Sequence, residues 1–111
     1  VDNDAVIAQT PEPPYFAVIF SSLRSEGDDG YNQTAARMVE LANDQPGFLG
    51  IESAREELGI TVSYWRDLDS IRVWKKNTEH LEAQRNGQRD WYKQYRVRIC
   101  LVERENSLTS D

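Results

Sequence analysis

The stretch YFAVIFSSL, residues 15–23, decides the fold. Read as a strand, it sets Tyr15, Ala17, Ile19 and Leu23 on one face and Phe16, Val18 and Phe20 on the other. A strand with one side in water alternates apolar with polar residues. This one is apolar on both sides, so both of its faces need cover. Downstream, Asp28, Asp29 and Gly30 form a turn able to cap a helix. Tyr31, Ala35, Met38 and Ala42 then recur at helical spacing until Pro46 and Gly47 stop them. Phe48 to Ala54 is a second strand, and Glu56, Glu57 and Gly59 mark a connection. Ile60 to Trp65, rich in β-branched and aromatic residues, is a third strand. Asp67 or Asp69 caps a second helix with the stripe Ile71, Trp74, Thr78 and Leu81, and Gly87 follows as a stop. Tyr95 to Glu103 is the last strand, with Tyr95, Val97, Ile99 and Leu101 set against Arg96, Arg98 and Cys100.

The order βαββαβ is the ferredoxin-like arrangement, an α+β fold with an antiparallel sheet. Its two helices cover one face of the sheet only. Cover for the other face comes most economically from a second copy, because twofold dimers are the commonest oligomers. Residues 15–105 are the expected domain, between a flexible, loosely held arm at 1–14 with Pro11, Pro13 and Pro14 and a polar tail at 106–111. The arm contains neither a basic segment nor an adequate apolar core for a signal peptide.

Composition narrows the function. The chain has 111 residues and a net charge of −6, which disfavours general nucleic-acid binding. Mean hydropathy is −0.70, and no apolar run is long enough for a membrane span. One cysteine, Cys100, permits no internal disulfide and makes a cytoplasmic setting the expectation. One histidine, His80, with that single cysteine does not assemble a zinc site of the usual kind.

The blocks FAVIFSSLR (16–24), DDGY (28–31), QPGFLGIESAR (45–55), GITVSYW (59–65) and WKKNTEHLEAQ (74–84) resemble the antibiotic biosynthesis monooxygenase (ABM) domain family. The resemblance runs from about Tyr15 to Glu105. It implies a dimeric α+β barrel, two ferredoxin-like subunits packed sheet to sheet. It also implies either oxidation of aromatic compounds without metal, flavin or haem, or binding and breakdown of haem. Haem-degrading relatives use an Asn–Trp–His set with the asparagine on the first strand. Here that strand has no asparagine, and Trp74 and His80 stand closer in sequence than in those relatives.

Oxygenation without a cofactor needs a base and a dry aromatic enclosure. His80 is the one side chain whose ordinary pKa suits a base near neutrality. Trp65, Trp74 and Tyr64 are the candidate walls for a small hydrophobic or aromatic ligand, and a tyrosine hydroxyl can donate to an oxyanion. The bland readings make Trp74 core packing and His80 a surface or capping residue. Six residues at about 100° each set His80 roughly 120° from Trp74 on a continuous helix. The two converge only if the helix breaks, and Asn77–Thr78 is the expected break. Ser21 and Ser22 are read as strand-end hydrogen-bonding groups, Cys100 as a small buried hydrophobe, and Arg96 and Arg98 as partners of local carboxylates. Three functions follow: a homodimeric cofactor-independent monooxygenase, a non-catalytic small-molecule binding dimer, and a haem protein.

Overall fold

The computed structural model describes residues 6–25, 31–84 and 91–109. Along the chain run β1 (Tyr15–Arg24), α1 (Tyr31–Asn43), β2 (Phe48–Arg55), β3 (Leu58–Trp65), α2 (Leu68–Gln84) and β4 (Tyr92–Val102). The strands form one sheet in the order β2-β3-β1-β4, every neighbouring pair antiparallel. This is the ferredoxin-like βαββαβ fold expected from the sequence. The Asp28–Gly30 cap and the Gly87 stop lie outside the described residues.

Register assigns the faces, because directly paired residues share one side of a sheet. Phe16 pairs with Trp65 and with Leu101, and Val18 pairs with Ser63 and with Ile99. Trp65 stacks on Trp74 of α2, so this is the helix side. The other side, here the open side, carries Tyr15, Ala17 and Ile19 with Tyr64, Val62, Cys100 and Arg98.

The turn that follows α1 is tied to the start and the body of α2. Gly47, in the turn after α1, has φ of 84°, a conformation that suits glycine. A Cβ there would also collide with the Ser70 hydroxyl in the first turn of α2. The Gly47 carbonyl accepts the Arg66 N–H at 2.8 Å, and Asn77 Nδ2 donates to Gln45 Oε1 at 3.0 Å. Asp67 caps α2 by accepting the Ser70 N–H at 2.7 Å.

Two expectations change. The helix break at Asn77–Thr78 is absent, and α2 is continuous. Thr78 donates its hydroxyl back to the Lys75 carbonyl, and the Asn77 side chain is taken by Gln45, so neither caps a new helix. Gly59 belongs to β3 rather than to the connection, leaving Glu56 and Glu57 between the strands. Its bare backbone lies under the Arg55 guanidinium, which a Cβ at 59 would strike.

The arm expected ahead of the domain runs over the open side. The Ala8 N–H donates to Glu52 Oε2 at 2.9 Å, and the Thr10 hydroxyl donates to the Tyr15 oxygen at 2.9 Å. Gly50 has the Ala8 side chain above it, too close for a Cβ of its own. Among the described residues no helix is long and apolar enough to cross a membrane.

Candidate functional site

The helix side has two unlike ends. At the α2 end, Trp65 is completely buried. Its ring stacks on Trp74 with centroids 5.8 Å apart and meets Phe48 edge-on at 5.4 Å. Its indole N–H donates to the buried Ser63 hydroxyl at 2.9 Å, so the one polar atom of the ring is satisfied inside the cluster. These residues meet because β3 ends where α2 begins, which returns the first turns of α2 over Trp65.

Across β1 and onto the edge strand β4, the same side opens. Phe16, Val18 and Phe20 are half-buried. Beside them Val97, Ile99 and Leu101 are 48%, 52% and 51% exposed, an unbroken apolar row. Phe20 meets the rings of Tyr92 and Tyr95 at 5.4 Å each. This floor is apolar and aromatic, which suits a flat hydrophobic ligand. At its far end Ser22, Gly59 and Arg55 lie in one row across three strands, and Arg55 donates to the Ser22 hydroxyl.

The open side carries a polar network instead. Tyr64 donates its hydroxyl to Glu52 Oε1 at 2.5 Å, and Tyr15 donates to Glu105 Oε2 at 3.2 Å. The two tyrosine rings meet edge-on at 5.8 Å. Desolvation by burial, reinforced by Glu52 as both hydrogen-bond partner and neighbouring charge, pushes the Tyr64 phenol well above its ordinary value. It stays a neutral donor to Glu52 at physiological pH.

The residues singled out from sequence therefore separate. Trp65 and Trp74 come together. Tyr64 falls on the opposite side of the sheet, because adjacent strand residues point opposite ways. His80 lies on α2, six residues beyond Trp74, and its side chain lies outside the described residues. With α2 continuous, position 80 is about 120° round the helix from position 74. Ser22 is buried and bonded to Arg55, in keeping with the hydrogen-bonding role expected for it. Cys100 is free and half-buried on the open side. Arg96 and Arg98 are a correction. Among the described residues the ion pairs are Arg37–Glu40, Arg66–Asp67 and Arg72–Asp69, and neither β4 arginine has a carboxylate partner. Their neighbours across β1, Ser21 and Ile19, carry no charge, so the register offers none.

Glu52 and Arg55 are the residues that sequence reasoning passed over. Period-two alternation from Gly50 sets Glu52 on an otherwise small-residue strand face, an unusual place for an acid. Among the described residues no group of three or more His, Cys, Asp and Glu side chains comes together as a metal would require.

Comparison with known proteins adds a lineage. The sequence model described as antibiotic biosynthesis monooxygenase matches residues 14–86. The uncharacterized protein YqjZ of Bacillus subtilis strain 168 is 56% identical over 101 residues, 89% of this chain and 89% of that one. Among solved structures, SnoaB, a cofactor-independent oxygenase from Streptomyces nogalater, superposes with a TM-score of 0.62 at 17% identity. That match covers 88% of this chain and 100% of SnoaB. PA3566 from Pseudomonas aeruginosa gives a TM-score of 0.61 at 18% identity, covering 86% and 99%.

Proposed function

The chain belongs to the antibiotic biosynthesis monooxygenase family, and from that premise we propose that it is a homodimeric, cofactor-independent oxygenase of small aromatic or quinol-like compounds. The observation that carries this reading is the half-exposed apolar floor of β1 and β4, roofed at one end by the Trp65–Trp74 stack. A flat ring laid on Val97, Ile99 and Leu101 loses water from one face and meets the Phe20 and Tyr95 rings. Membership in a family with SnoaB's fold supports the reaction type.

The reaction asks little of the protein. A phenol or its keto tautomer loses a proton, and the resulting carbanion gives an electron to dioxygen. One oxygen atom then becomes a carbonyl at the former CH2, and the other leaves as water. The enclosure must keep bulk water from the anion, and one group must take the first proton. His80 enters as that base on its chemistry, as the single imidazole of the chain. Because α2 is unbroken, position 80 stays about 120° round the helix from Trp74 and the two do not converge as the sequence reading requires, so His80 is retained as the base on its chemistry alone. Trp65 supports the wall from behind while Trp74 and the β4 row contact the ligand. A cytoplasmic setting is part of the proposal, in keeping with the unpaired Cys100.

The test is oxygen uptake with a dihydroaromatic phenol. Wild type should consume oxygen, and His80→Ala should lose about 10²–10⁴ of the rate while still binding substrate. Unchanged turnover in the variant removes His80 from the mechanism. Binding without oxygen uptake in wild type supports the second reading, a binding dimer without catalysis. One observation favours that reading: the hydroxyl of Tyr64, a candidate oxyanion donor, is committed to Glu52 on the far side of the sheet.

A further inference from the structure

The apolar floor is not neutral at both ends. Arg55 leaves β2 and lays its guanidinium across Gly59 of β3 to reach Ser22 of β1, on the helix side of the sheet. Three things make this placement specific. Gly59 has no side chain, and a Cβ there would occupy the space of the guanidinium. Ser22 is buried and fixes one N–H of the group through its hydroxyl. No carboxylate among the described residues pairs with Arg55, although Glu56 and Glu57 follow it directly in sequence. A guanidinium has five N–H donors in a rigid fork. One is used on Ser22, whose partner on β4 is Tyr95, at the end of the surface made by Phe20, Tyr95 and Val97.

We propose that Arg55, held over Gly59 by Ser22, anchors the anionic group of a flat aromatic ligand whose ring lies on the β1–β4 floor. The ligand class is an aromatic carboxylate or a phenol ionised on binding. Either presents oxygen acceptors to the fork, while its ring covers the apolar row. Arg55 thereby selects an anion over its neutral analogue and orients the ring along β4, with the charged end toward Ser22. This inference rests on the floor being the ligand surface, as in the proposed function, and adds which ligands it accepts and which way round.

Two fluorescent probes separate the claims: anilinonaphthalene sulfonate, an aromatic anion, and phenylnaphthylamine, the same ring system without its charge. Wild type should bind both, the anion about tenfold more tightly. Arg55→Met should abolish that preference and leave the neutral probe bound. Gly59→Ala, which keeps the charge but displaces the guanidinium, should weaken the preference in the same direction. Arg98→Met removes the same charge from the open side and should leave the preference intact. Ile99→Asp, in the floor itself, should weaken both probes. Equal binding of the two probes by wild type, or equal losses in Arg55→Met and Arg98→Met, overturns the Arg55 anchor and spares the floor. Failure of both probes to bind wild type, or a neutral probe indifferent to Ile99→Asp, overturns the floor and the anchor with it.

Discussion

Tyr64 and Trp65 are adjacent in the chain and close opposite sides of the same sheet by different physics. Trp65 is sealed by stacking on Trp74, with its one polar atom satisfied by Ser63. Tyr64 is held by a phenol–carboxylate hydrogen bond to Glu52, which also fastens the arm through the Ala8 N–H. Over Trp65 the helix side is thus closed by apolar contact, which is insensitive to pH, and the open side is fastened by a phenol that must keep its proton. The contrast teaches that an aromatic residue in a strand is no site by itself. What lies across the sheet from it decides whether it packs, binds or fastens.

The largest test of this contrast is truncation of the sealed ring. Trp65→Ala should cost about 3–5 kcal/mol in urea denaturation, since the side chain is fully buried and leaves a cavity. Trp74 is only partly buried, and Trp74→Ala should cost less, roughly 1–3 kcal/mol. Equal costs would mean that Trp74 is as enclosed as Trp65 and is no contact surface for a ligand.

Most of the fold was legible because period-two and period-3.6 patterns are local. The two-sided apolar character of Tyr15–Leu23 and the stripe Ile71–Trp74–Thr78 needed only neighbours in sequence. The site was less legible because it depends on register and on competition for hydrogen bonds. Nothing within β3 says that the Tyr64 hydroxyl finds Glu52 twelve residues back. Nothing near Thr78 says that its hydroxyl will return to Lys75 rather than cap a new helix. Gly59 looked like a turn residue, yet its function is room for a side chain from another strand.

The open side is the proposed meeting surface of two copies, and it can be broken there. Beyond the stretch crossed by Ala8, it exposes Leu58 by 51% and Ile60 by 39%, beside Ile19 and Leu23. Light scattering at micromolar concentration should give about twice the 12.8 kDa chain mass. Ile60→Glu should return the mass to that of one chain, because it buries an unpaired charge in the interface. A wild-type monomer would leave the open side to water and remove the dimer from the proposal.

The alkaline limb sharpens the contrast further. The Tyr64 phenol is raised above its ordinary 10.0 in the folded chain, by burial first and Glu52 second. Its stabilisation is therefore complete below pH 10.0 and is lost as pH rises beyond that value toward the folded pKa. Thermal unfolding should show wild type more stable than Tyr64→Phe at neutral pH, with the gap narrowing only on the alkaline side. A gap that persists undiminished through the alkaline range would show that the phenol's proton does not govern the fastening.

The smallest effect belongs to the helix side and has the opposite sign in pH. Asp67 accepts the Ser70 N–H at the start of α2, and that bond, followed by one to the Ser70 side chain, holds its carboxyl below the ordinary 3.8. A depressed carboxyl stabilises the fold above its unfolded pKa and ceases to do so as pH falls below 3.8. Asp67→Asn keeps a capping oxygen but cannot ionise, so the comparison isolates the charge. The melting temperature of wild type should exceed that of Asp67→Asn near neutrality and converge with it below that carboxylate range. Because Asp67 stands at the surface, the difference should be slight and should shrink in salt. Convergence on the alkaline side, where Tyr64→Phe is expected to converge, would tie both sides of the sheet to one titrating group and erase the distinction between them.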